Sequence, residues 1–330
     1  MSRFLVIGSN SFSGASFSNY LLQNNHEVMG VSRSEQINDV FLPYQWDLQV
    51  KEGFQFHQVD LNNDLSNLIQ LIIDYQPQYI VNFAAQGMVA QSWDTPEDWY
   101  QTNVVAQVKL HNELRKLSFV TKYVHVSTPE AYGSTDGWVK EHYNFSPSTP
   151  YAVSRAACDL HLLSFFKAYN FPVVFTRAAN VYGAGQQLYR IVPRALLFAR
   201  MNKRLSLHGG GHSVRSFIHI DDVASATLKI ASDGEPGQTY HISTQDTVSI
   251  RKLVEIICEM TNIKFLDLAE ETEDRLGKDQ SYLLDSSALR AKFSWRDEIT
   301  LQDGIESTLA WVDKNFEILK SLPMDYEHKR

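Results

Sequence analysis

Short apolar segments alternate with helical patterns through the first half of this 330-residue chain, and this alternation constrains the fold more than any other feature. The apolar runs are four to six residues long and rich in valine, isoleucine and phenylalanine, which indicates buried strands. Strands that are apolar throughout and separated by helices are typical of a parallel sheet covered on both faces. The pattern therefore predicts an α/β fold with a doubly wound parallel sheet.

Six strands of this sheet can be placed from the sequence, together with the helices between them. We predict strands at residues 4–7, 26–31, 54–59, 79–83, 123–126 and 173–176. The first predicted helix follows strand one and ends near residue 23, and three more cover residues 65–75, 96–116 and 151–169. The pattern predicts a nucleotide-binding domain over residues 1–184.

The pattern loosens beyond this point, and we expect residues 185–330 to form a smaller C-terminal α/β substrate domain that is interleaved with the sheet. Helices are predicted at 191–201 and 250–261, extended pieces at 205–207 and 240–242, an acidic loop at 270–275 and a frayed end at 325–330.

Composition excludes several classes of function. Hydrophobic residues make up 44% and charged residues 21%, as in globular proteins, and the net charge of −8 argues against a nucleic-acid or membrane-surface partner. No apolar run reaches the ~18 residues of a membrane span, and no signal peptide precedes the first strand. Cys158 and Cys258 lie in apolar helical runs, which is typical of reduced core thiols, and no Cys/His spacing indicates a metal. We expect a cytoplasmic protein.

A glycine-bracketed loop, Gly8-Ser-Asn-Ser-Phe-Ser-Gly14, connects the first strand to the first helix. Glycines allow positive φ and let the backbone approach a pyrophosphate at a helix N-terminus. Ser11 stands where a G-x-x-G-x-x-G loop has its middle glycine. The loop predicts a dinucleotide site of the Rossmann type, and its candidate contacts are Gly8, Asn10, Ser11, Phe12 and Gly14.

The turn after the second strand indicates which dinucleotide is preferred. NAD-binding chains usually carry an acidic residue there for the ribose 2′-hydroxyl, whereas this chain has Ser32, Arg33 and Ser34, which suit a 2′-phosphate. NADP is therefore favoured over NAD. Further along the cofactor path, the candidate residues are Asp60 and Leu61 near the adenine, then Ala84, Ala85, Gln86 and Asn103.

Tyr151 and Arg155 lie four residues apart and therefore face the same way on a helix. Ser148, Thr149 and Pro150 form a helix start, which places Tyr151 in the first turn, where the helix dipole favours an anion. A tyrosine base at neutral pH needs its pKa lowered by about three units, or roughly 4 kcal/mol. Arg155 supplies positive charge and can hydrogen-bond a ribose, but its guanidinium does not relay protons.

Thr128 and Glu130 follow the predicted fifth strand, at the edge of the sheet where ligands of open α/β proteins bind. The Thr128 hydroxyl can hold a sugar oxygen beside Tyr151. The Glu130 carboxylate can remove a proton α to a carbonyl.

Together these pieces resemble a known family. The matching motifs are the glycine loop, Ala84-Ala-Gln86 with Ser92, Thr102-Asn-Val104, Ser127-Thr-Pro-Glu-Ala-Tyr-Gly133, Pro150-Tyr-Ala-Val-Ser-Arg155, Arg177-Ala-Ala-Asn-Val-Tyr-Gly183, Val214-Arg-Ser-Phe-Ile-His-Ile-Asp-Asp-Val223 and Asp274-Arg-Leu-Gly-Lys-Asp279. The chain resembles the extended short-chain dehydrogenase/reductases, and most of all their nucleotide-sugar 4,6-dehydratases, which act on dTDP-glucose, CDP-glucose or GDP-mannose. The resemblance covers nearly the whole chain.

The resemblance implies a reaction and a set of residues. The catalytic residues it implies are Thr128, Glu130, Tyr151 and Arg155. The implied substrate contacts are Gln86, Ser92, Thr128, Asn180, Arg190, Arg215 and Arg275. It implies an NAD(P) cofactor that is regenerated on the enzyme, a nucleotide-diphosphate sugar as substrate, and a homodimer formed by helices 96–116 and 151–169.

The chain departs from the family pattern at three of these positions. Arg155 replaces the usual lysine, Ser11 replaces a glycine, and Pro129 replaces the aspartate that precedes the glutamate in dTDP-glucose enzymes. GDP-mannose enzymes lack that aspartate too, so dehydration with Glu130 as both base and acid remains open.

Two other functions fit the same fold. A 4-epimerase or a hexuronate decarboxylase would also oxidise C4; Glu130 argues against the first, and the segment 274–279 argues against the second. A third hypothesis is a cofactor-binding protein with little catalysis, in which Arg155 and Pro129 reflect a lost activity.

Overall fold

A seven-stranded parallel sheet forms the centre of the protein, as the computed structural model shows for residues 1–273 and 283–328. The strand order is β12-β7-β5-β4-β1-β2-β3. The strands are β1 Arg3–Ile7, β2 Glu27–Ser32, β3 Phe54–Gln58, β4 Tyr79–Asn82, β5 Lys122–Val126, β6 Trp138–Val139, β7 Val173–Ala178, β8 Asn180–Tyr182, β9 Leu205–His208, β10 Val214–Arg215, β11 Phe217–His219, β12 Thr239–Ile242, β13 Val248–Ser249, β14 Ala269–Thr272 and β15 Leu283–Leu284. The predicted doubly wound fold is confirmed.

Helices cover both faces of this sheet and build the C-terminal part. They are α1 Phe12–Gln23, α2 Leu48–Glu52, α3 Leu65–Tyr75, α4 Pro96–Tyr100, α5 Gln107–Leu114, α6 Pro150–Tyr169, α7 Ile191–Met201, α8 Ile220–Asp233, α9 Ile250–Thr261, α10 Phe265–Leu268, α11 Ser287–Phe293, α12 Leu301–Lys314 and α13 Phe316–Leu319. A π-helical segment, Gln101–Ala106, joins α4 to α5. In the part of the chain that the structure describes, no helix combines the length and apolar character of a membrane span.

The sheet topology places the binding crevice. The chain runs from β1 outward to β2 and β3, and then crosses back to β4 on the other side of β1. In the register, Phe4 lies opposite Val28 on one side and Tyr79 on the other. Because all seven strands are parallel, their carboxyl ends share one edge, and a ligand crevice opens beyond β1 and β4 where the order reverses.

Residues beyond 184 contribute to the main sheet more than the sequence indicated. Residues 240–242, predicted as an extended piece of the C-terminal domain, belong to β12, which pairs with β7 as an edge strand of the sheet. Helix α8 packs on the same core, where Ile230 is buried with Phe4 and Phe17. A separate core in the C-terminal half joins α7, α9 and α12 around residues such as Leu253.

Two predicted irregular segments are ordered by long-range contacts. Part of the predicted acidic loop 270–275 is strand β14, which pairs with β9, and Glu271 binds Arg251 at 2.6 Å. Within the predicted frayed end, residues 325–328 are held to the body, since Asp325 binds Arg194 at 2.6 Å and the His328 ring stacks on Trp99. For the described residues 270–273 and 325–328 both predictions were wrong, because local polarity does not report distant partners.

Candidate active site

The turn between β1 and α1 requires glycine at its first position. Gly8 has a φ of +86°, and a Cβ there would lie 2.8 Å from the amide nitrogen of Ala84. A side chain at Gly14 would overlap the Gly8 carbonyl oxygen. The result is a side-chain-free surface at the start of a helix, beside β4, which fits the pyrophosphate of a dinucleotide.

Ser11 has a structural role in this turn. Its φ of −74° needs no glycine, and its side chain is the N-cap of α1. Oγ accepts a hydrogen bond from the Gly14 amide at 3.1 Å and donates to the Gly8 carbonyl at 2.7 Å. Phe12, predicted as a cofactor contact, buries its ring in the main core, so only its backbone can face a ligand.

Asn10 ties the glycine loop to the turn after β2. Its amide nitrogen donates to Ser32 Oγ at 2.9 Å, and its side-chain Nδ2 donates to the carbonyls of Ser34 and Glu35 at 3.0 and 2.8 Å. The turn that carries Arg33 is therefore fixed relative to the pyrophosphate loop. After the neighbouring strand β3, Asp60 accepts from the Asn62 amide at 2.9 Å and shapes its own turn, while Leu61 is buried in the core.

A π-helical turn positions the segment after β4. Asn103 lies in this turn, fully buried; its Oδ1 accepts from the Gln86 amide at 2.7 Å, and its Nδ2 donates to the Gln86 carbonyl at 3.0 Å. Nδ2 also donates to Ser154 Oγ on α6 at 2.9 Å. Ala84 and Ala85 precede Gln86 on this segment and leave it without bulky side chains. Asn103 thus links the cofactor path to the helix that carries Tyr151.

Tyr151 lies in the first turn of α6, as predicted. Thr149 is the N-cap, its Oγ1 accepting from the Ala152 amide at 3.2 Å, and Pro150 is the first helical residue. Burial, followed by the neighbouring Glu130 carboxylate, raises the pKa of Tyr151. Arg155, a hydrogen bond with Thr128 and Arg190 act in the opposite direction. The predicted effect of Arg155 therefore has the right sign, but burial outweighs it in the protein alone.

Thr128 and Glu130 lie on a tight turn that follows β5. Thr128 is the N-cap of a short 3-10 turn, Pro129–Tyr132, and its Oγ1 accepts from the Glu130 amide at 3.3 Å. Pro129 occupies the first position of that turn, where its lack of an N–H has no cost. The turn brings the Thr128 hydroxyl and the Glu130 carboxylate to the same tyrosine.

Arg155 is turned toward β5. Its side chain is almost wholly buried, and Nη2 donates to the Val126 carbonyl and lies 3.3 Å from His125 Nε2. Nη1 is buried and has no hydrogen-bond partner among residues 1–273 and 283–328. An unused buried donor beside Tyr151 is compatible with the predicted contact to a ribose, in addition to the structural one.

Substitution of Arg155 separates its charge from its hydrogen bonds. In Arg155→Met, loss of the cation raises the pKa of Tyr151, so we expect the pH of half-maximal activity to move upward and activity at neutral pH to fall ~100-fold. Arg155→Lys keeps the charge and is expected to lose only ~10-fold, with its pH profile in place. Activity measured against pH checks both variants; superimposable profiles for the native and methionine proteins would contradict the electrostatic role.

The residues predicted to contact the substrate lie on different elements and differ in their exposure. Arg190 is exposed as the N-cap residue of α7, near enough to Tyr151 to lower its pKa. Asn180 begins β8, and Arg215 ends β10 with Nη1 donating to the Val214 carbonyl at 2.8 Å. Ser92 is wholly buried and donates to the Val89 carbonyl at 2.6 Å, and its contact with the substrate stays a prediction. Arg275 lies outside the described residues.

Comparison with known proteins decides the family. A family model described as GDP-mannose 4,6 dehydratase matches residues 5–308. The chain belongs to this family. It is 31% identical to the dTDP-D-glucose 4,6-dehydratase of Mus musculus over 275 residues, covering 81% of this chain and 76% of that protein.

Solved structures of family members agree with this assignment. The dTDP-glucose 4,6-dehydratase of Bacillus anthracis, solved in complex with NAD, is 28% identical with a TM-score of 0.86, over 97% of this chain and 99% of that one. The enzyme from Streptomyces venezuelae, solved with NAD and TYD bound, is 27% identical with a TM-score of 0.88, over 96% and 98%.

Beneath the dehydratase-type site lies a polar network that the sequence reasoning missed. Asp159 on α6 binds Arg177 on β7 at 2.8 Å, and both side chains are 0% exposed. The sequence places Arg177 in the motif of residues 177–183 but predicts no role for it. The signal that could have found the pair is the spacing of Tyr151, Arg155 and Asp159 at successive turns of one helix face.

A buried cluster of possible metal ligands lies next to this network. His111, His125 and Cys158 bring one ligand atom each within 4.8 Å of one another, although no motif had predicted a metal. Burial lowers the pKa of His125 to about 4 and raises the pKa of Cys158 to about 12. The adjacent guanidinium of Arg155 further disfavours a cation there, so the cluster is better described as neutral core.

Proposed function

We propose that this family member is a nucleotide-sugar 4,6-dehydratase, which converts an NDP-hexose to the NDP-4-keto-6-deoxyhexose. The observation that supports it most is that a phenol, a hydroxyl and a carboxylate meet at the carboxyl edge of the sheet. Thr128 hydrogen-bonds the Tyr151 phenol, and the Glu130 carboxylate is near enough to raise its pKa. A simple epimerase needs no carboxylate at this place. The bare glycine loop beside it fits a dinucleotide.

The chain's residues divide the proposed reaction between them. A bound nicotinamide would supply the hydride chemistry, taking hydride from sugar C4 and giving it to C6, and its oxidised form would add positive charge to the site. Tyr151 takes the proton of the 4-hydroxyl, and the Thr128 hydroxyl, which hydrogen-bonds Tyr151, holds that oxygen in place. Glu130 takes the C5 proton, which the new 4-ketone acidifies.

Glu130 also has to protonate the leaving C6 hydroxyl. Pro129 occupies the position of the second acid of dTDP-glucose enzymes and has no proton to give. The carboxylic acid formed when Glu130 removes the C5 proton can give that proton to the oxygen at C6, so one carboxyl group serves both steps. When hydride adds to C6, C5 takes a proton from solvent, which balances the 4-hydroxyl proton that Tyr151 releases.

The proposal also assigns residues to the diphosphate of the substrate and a role to each of the two domains. Arg190 and Arg215, with Asn180, are assigned to the diphosphate because guanidinium groups bind phosphate in a bidentate manner. Gln86 is assigned to both ligands, and Arg275 is retained as a further phosphate contact on sequence grounds. Residues 1–184 hold the cofactor, and residues 185–330 supply the sugar-nucleotide site while completing the sheet.

We propose NADP rather than NAD as the preferred cofactor. The turn fixed by Asn10 carries Ser32, Arg33 and Ser34, none of which has a carboxylate for a ribose 2′-hydroxyl, and Glu35 follows past the turn. Binding titrations with both oxidised cofactors test this, and Arg33→Ala should weaken NADP binding more than NAD binding. Equal weakening of the two would refute the 2′-phosphate assignment.

A homodimer in a reducing, cytoplasmic compartment completes the proposal. Large apolar side chains are exposed on the helices from α4 to α6, namely Tyr100, Val105, Val153 and Leu160. A second copy packed on this face would cover them.

Both cysteines are free and buried, as expected of a reducing compartment. Light scattering of the purified protein and of Leu160→Glu tests the dimer, and cell fractionation tests the location.

A panel assay tests the function directly. The purified protein is incubated with NADP or NAD and a set of nucleotide hexoses and hexuronates, and the sugars are followed by chromatography and by mass. The proposal expects one hexose donor to lose one water. Loss of carbon dioxide would indicate a decarboxylase, a changed sugar of unchanged mass would indicate an epimerase, and no turnover would leave only cofactor binding.

A further inference from the structure

One face of α6 contacts three consecutive residues at the end of β5. Tyr151 hydrogen-bonds Thr128, Arg155 donates to the carbonyl of Val126, and Asp159 accepts from Ser127 Oγ at 2.7 Å. The three α6 residues are one turn apart, so the helix holds the strand end at three successive levels. The proposed function uses only the first of these contacts.

The third contact is extended by Arg177 on the next strand. Its Nη2 lies 2.8 Å from Asp159 Oδ2, and its Nη1 donates to Ser127 Oγ at 2.8 Å and to the Thr128 carbonyl at 2.9 Å. The guanidinium also lies 4.9 Å over the Tyr132 ring, at the other end of the 3-10 turn. Arg177 therefore contacts the turn that carries Glu130 at both of its ends, at Thr128 and at Tyr132.

Electrostatics keep this pair ionised in spite of its burial. Burial alone would raise the pKa of Asp159, but the Arg177 guanidinium, with His125 and Arg155, holds that pKa below its usual range. A charged pair in the core is often no more stabilising than an apolar pair of similar size. Its geometric effect on the turn is therefore the more informative property.

We propose that Asp159 and Arg177 are positioning residues, which fix the Thr128–Glu130 turn against Tyr151. Neither touches the reacting sugar. They act through the Ser127 hydroxyl and the Thr128 carbonyl, so that the hydroxyl of Thr128 and the carboxylate of Glu130 stay in reach of one substrate. This inference rests on the proposed function, because the consequence of a displaced turn is read in that reaction.

A neutral double variant separates positioning from stability. Asp159→Asn alone leaves the Arg177 charge buried without its partner and is expected to lower the melting temperature markedly. Asp159→Asn with Arg177→Gln removes both charges and should recover much of that loss. Because a displacement near 1 Å can cost ~100-fold, we expect kcat per folded molecule to fall ~10- to 100-fold, with KM changed less than ~3-fold.

Arg290 and Asp297 provide a matched control. Their side chains form a partly buried ion pair at 2.5 Å, and Arg290 also donates to the Ser243 carbonyl at 3.0 Å. The variant Arg290→Gln with Asp297→Asn carries the same two chemical changes outside the proposed site. It should alter the melting temperature but keep kcat per folded molecule within ~2-fold of the native protein.

Hydrogen exchange supplies a readout that does not depend on turnover. The Ser127 amide donates to Thr176 and the Glu130 amide to Thr128 Oγ1, so both report on the turn. In the Asp159/Arg177 double variant we expect ~10-fold faster exchange in residues 127–133, and no change there in the control. A protected turn, or a kcat that recovers along with the melting temperature, would overturn the positioning role. If the native protein turns over no nucleotide sugar, the proposed function fails, while the exchange result still decides whether the pair holds the turn.

Discussion

Replacement of Glu130 by glutamine is expected to abolish water loss while leaving oxidation at C4 intact. Proton transfer by a positioned carboxyl group accounts for ~10²- to 10⁴-fold in rate, so dehydration should fall by at least that lower value. Because the Glu130 carboxylate contributes to the raised pKa of Tyr151, its loss lowers that pKa. Oxidation should therefore reach its half-maximal rate at a lower pH than in the native protein.

Absorbance of the reduced cofactor and the mass of the sugar measure the two steps separately. With Glu130→Gln, we expect reduced cofactor to accumulate to a stoichiometric level and the sugar to keep its C6 oxygen. Glu113→Gln is the control, since Glu113 pairs only with Lys116 on the surface of α5 among the ion pairs described. Normal dehydration by the Glu130 variant would show that another group removes the C5 proton.

Tyr151→Phe is expected to stop the reaction at its first step. Without the phenol no group in the described site takes the 4-hydroxyl proton, and the rate of C4 oxidation should fall ~10³-fold or more. Neither reduced cofactor nor dehydrated sugar should form. Loss of one hydrogen bond to Thr128 should change the free energy of unfolding by only about 1 kcal/mol.

Tyr143→Phe is the matched control for this substitution. The Tyr143 hydroxyl donates to the Gly237 carbonyl at 2.7 Å and accepts a longer hydrogen bond from Thr239 Oγ1 at 3.4 Å. Its removal therefore costs at least as much hydrogen bonding, but on a segment that carries none of the proposed site residues. We expect the two variants to have similar melting temperatures and very different kcat values. Similar kcat values would mean that Tyr151 is a structural residue.

Local pattern was sufficient to predict most of the sheet and several helices. Helices α3, α7 and α9 have the predicted bounds, because their apolar faces repeat regularly and their ends carry clear signals, such as the Ser249 cap of α9. Helices α8 and α12 were not predicted. Helix α8 begins at a histidine cap, His219, which is outside the usual set of capping residues.

Contacts between distant segments could not be predicted in the same way. The β12–β7 pairing and the attachment of His328 to Trp99 depend on tertiary neighbours that no local period encodes. In the site, the four-residue spacing was enough to predict that Tyr151 and Arg155 lie on one helix face. The direction of Arg155 toward Val126 was not predictable, because a long side chain can reach either the ribose or the strand.

Transfer of a deuterium label within the sugar tests the central claim most directly. The donor identified by the panel assay is prepared with deuterium at C4 and incubated with the purified protein and unlabelled cofactor. We expect a 4-keto-6-deoxy product that has lost one water and carries the deuterium at C6. Deuterium found back at C4, or in the released cofactor pool with the C6 oxygen still present, would contradict it.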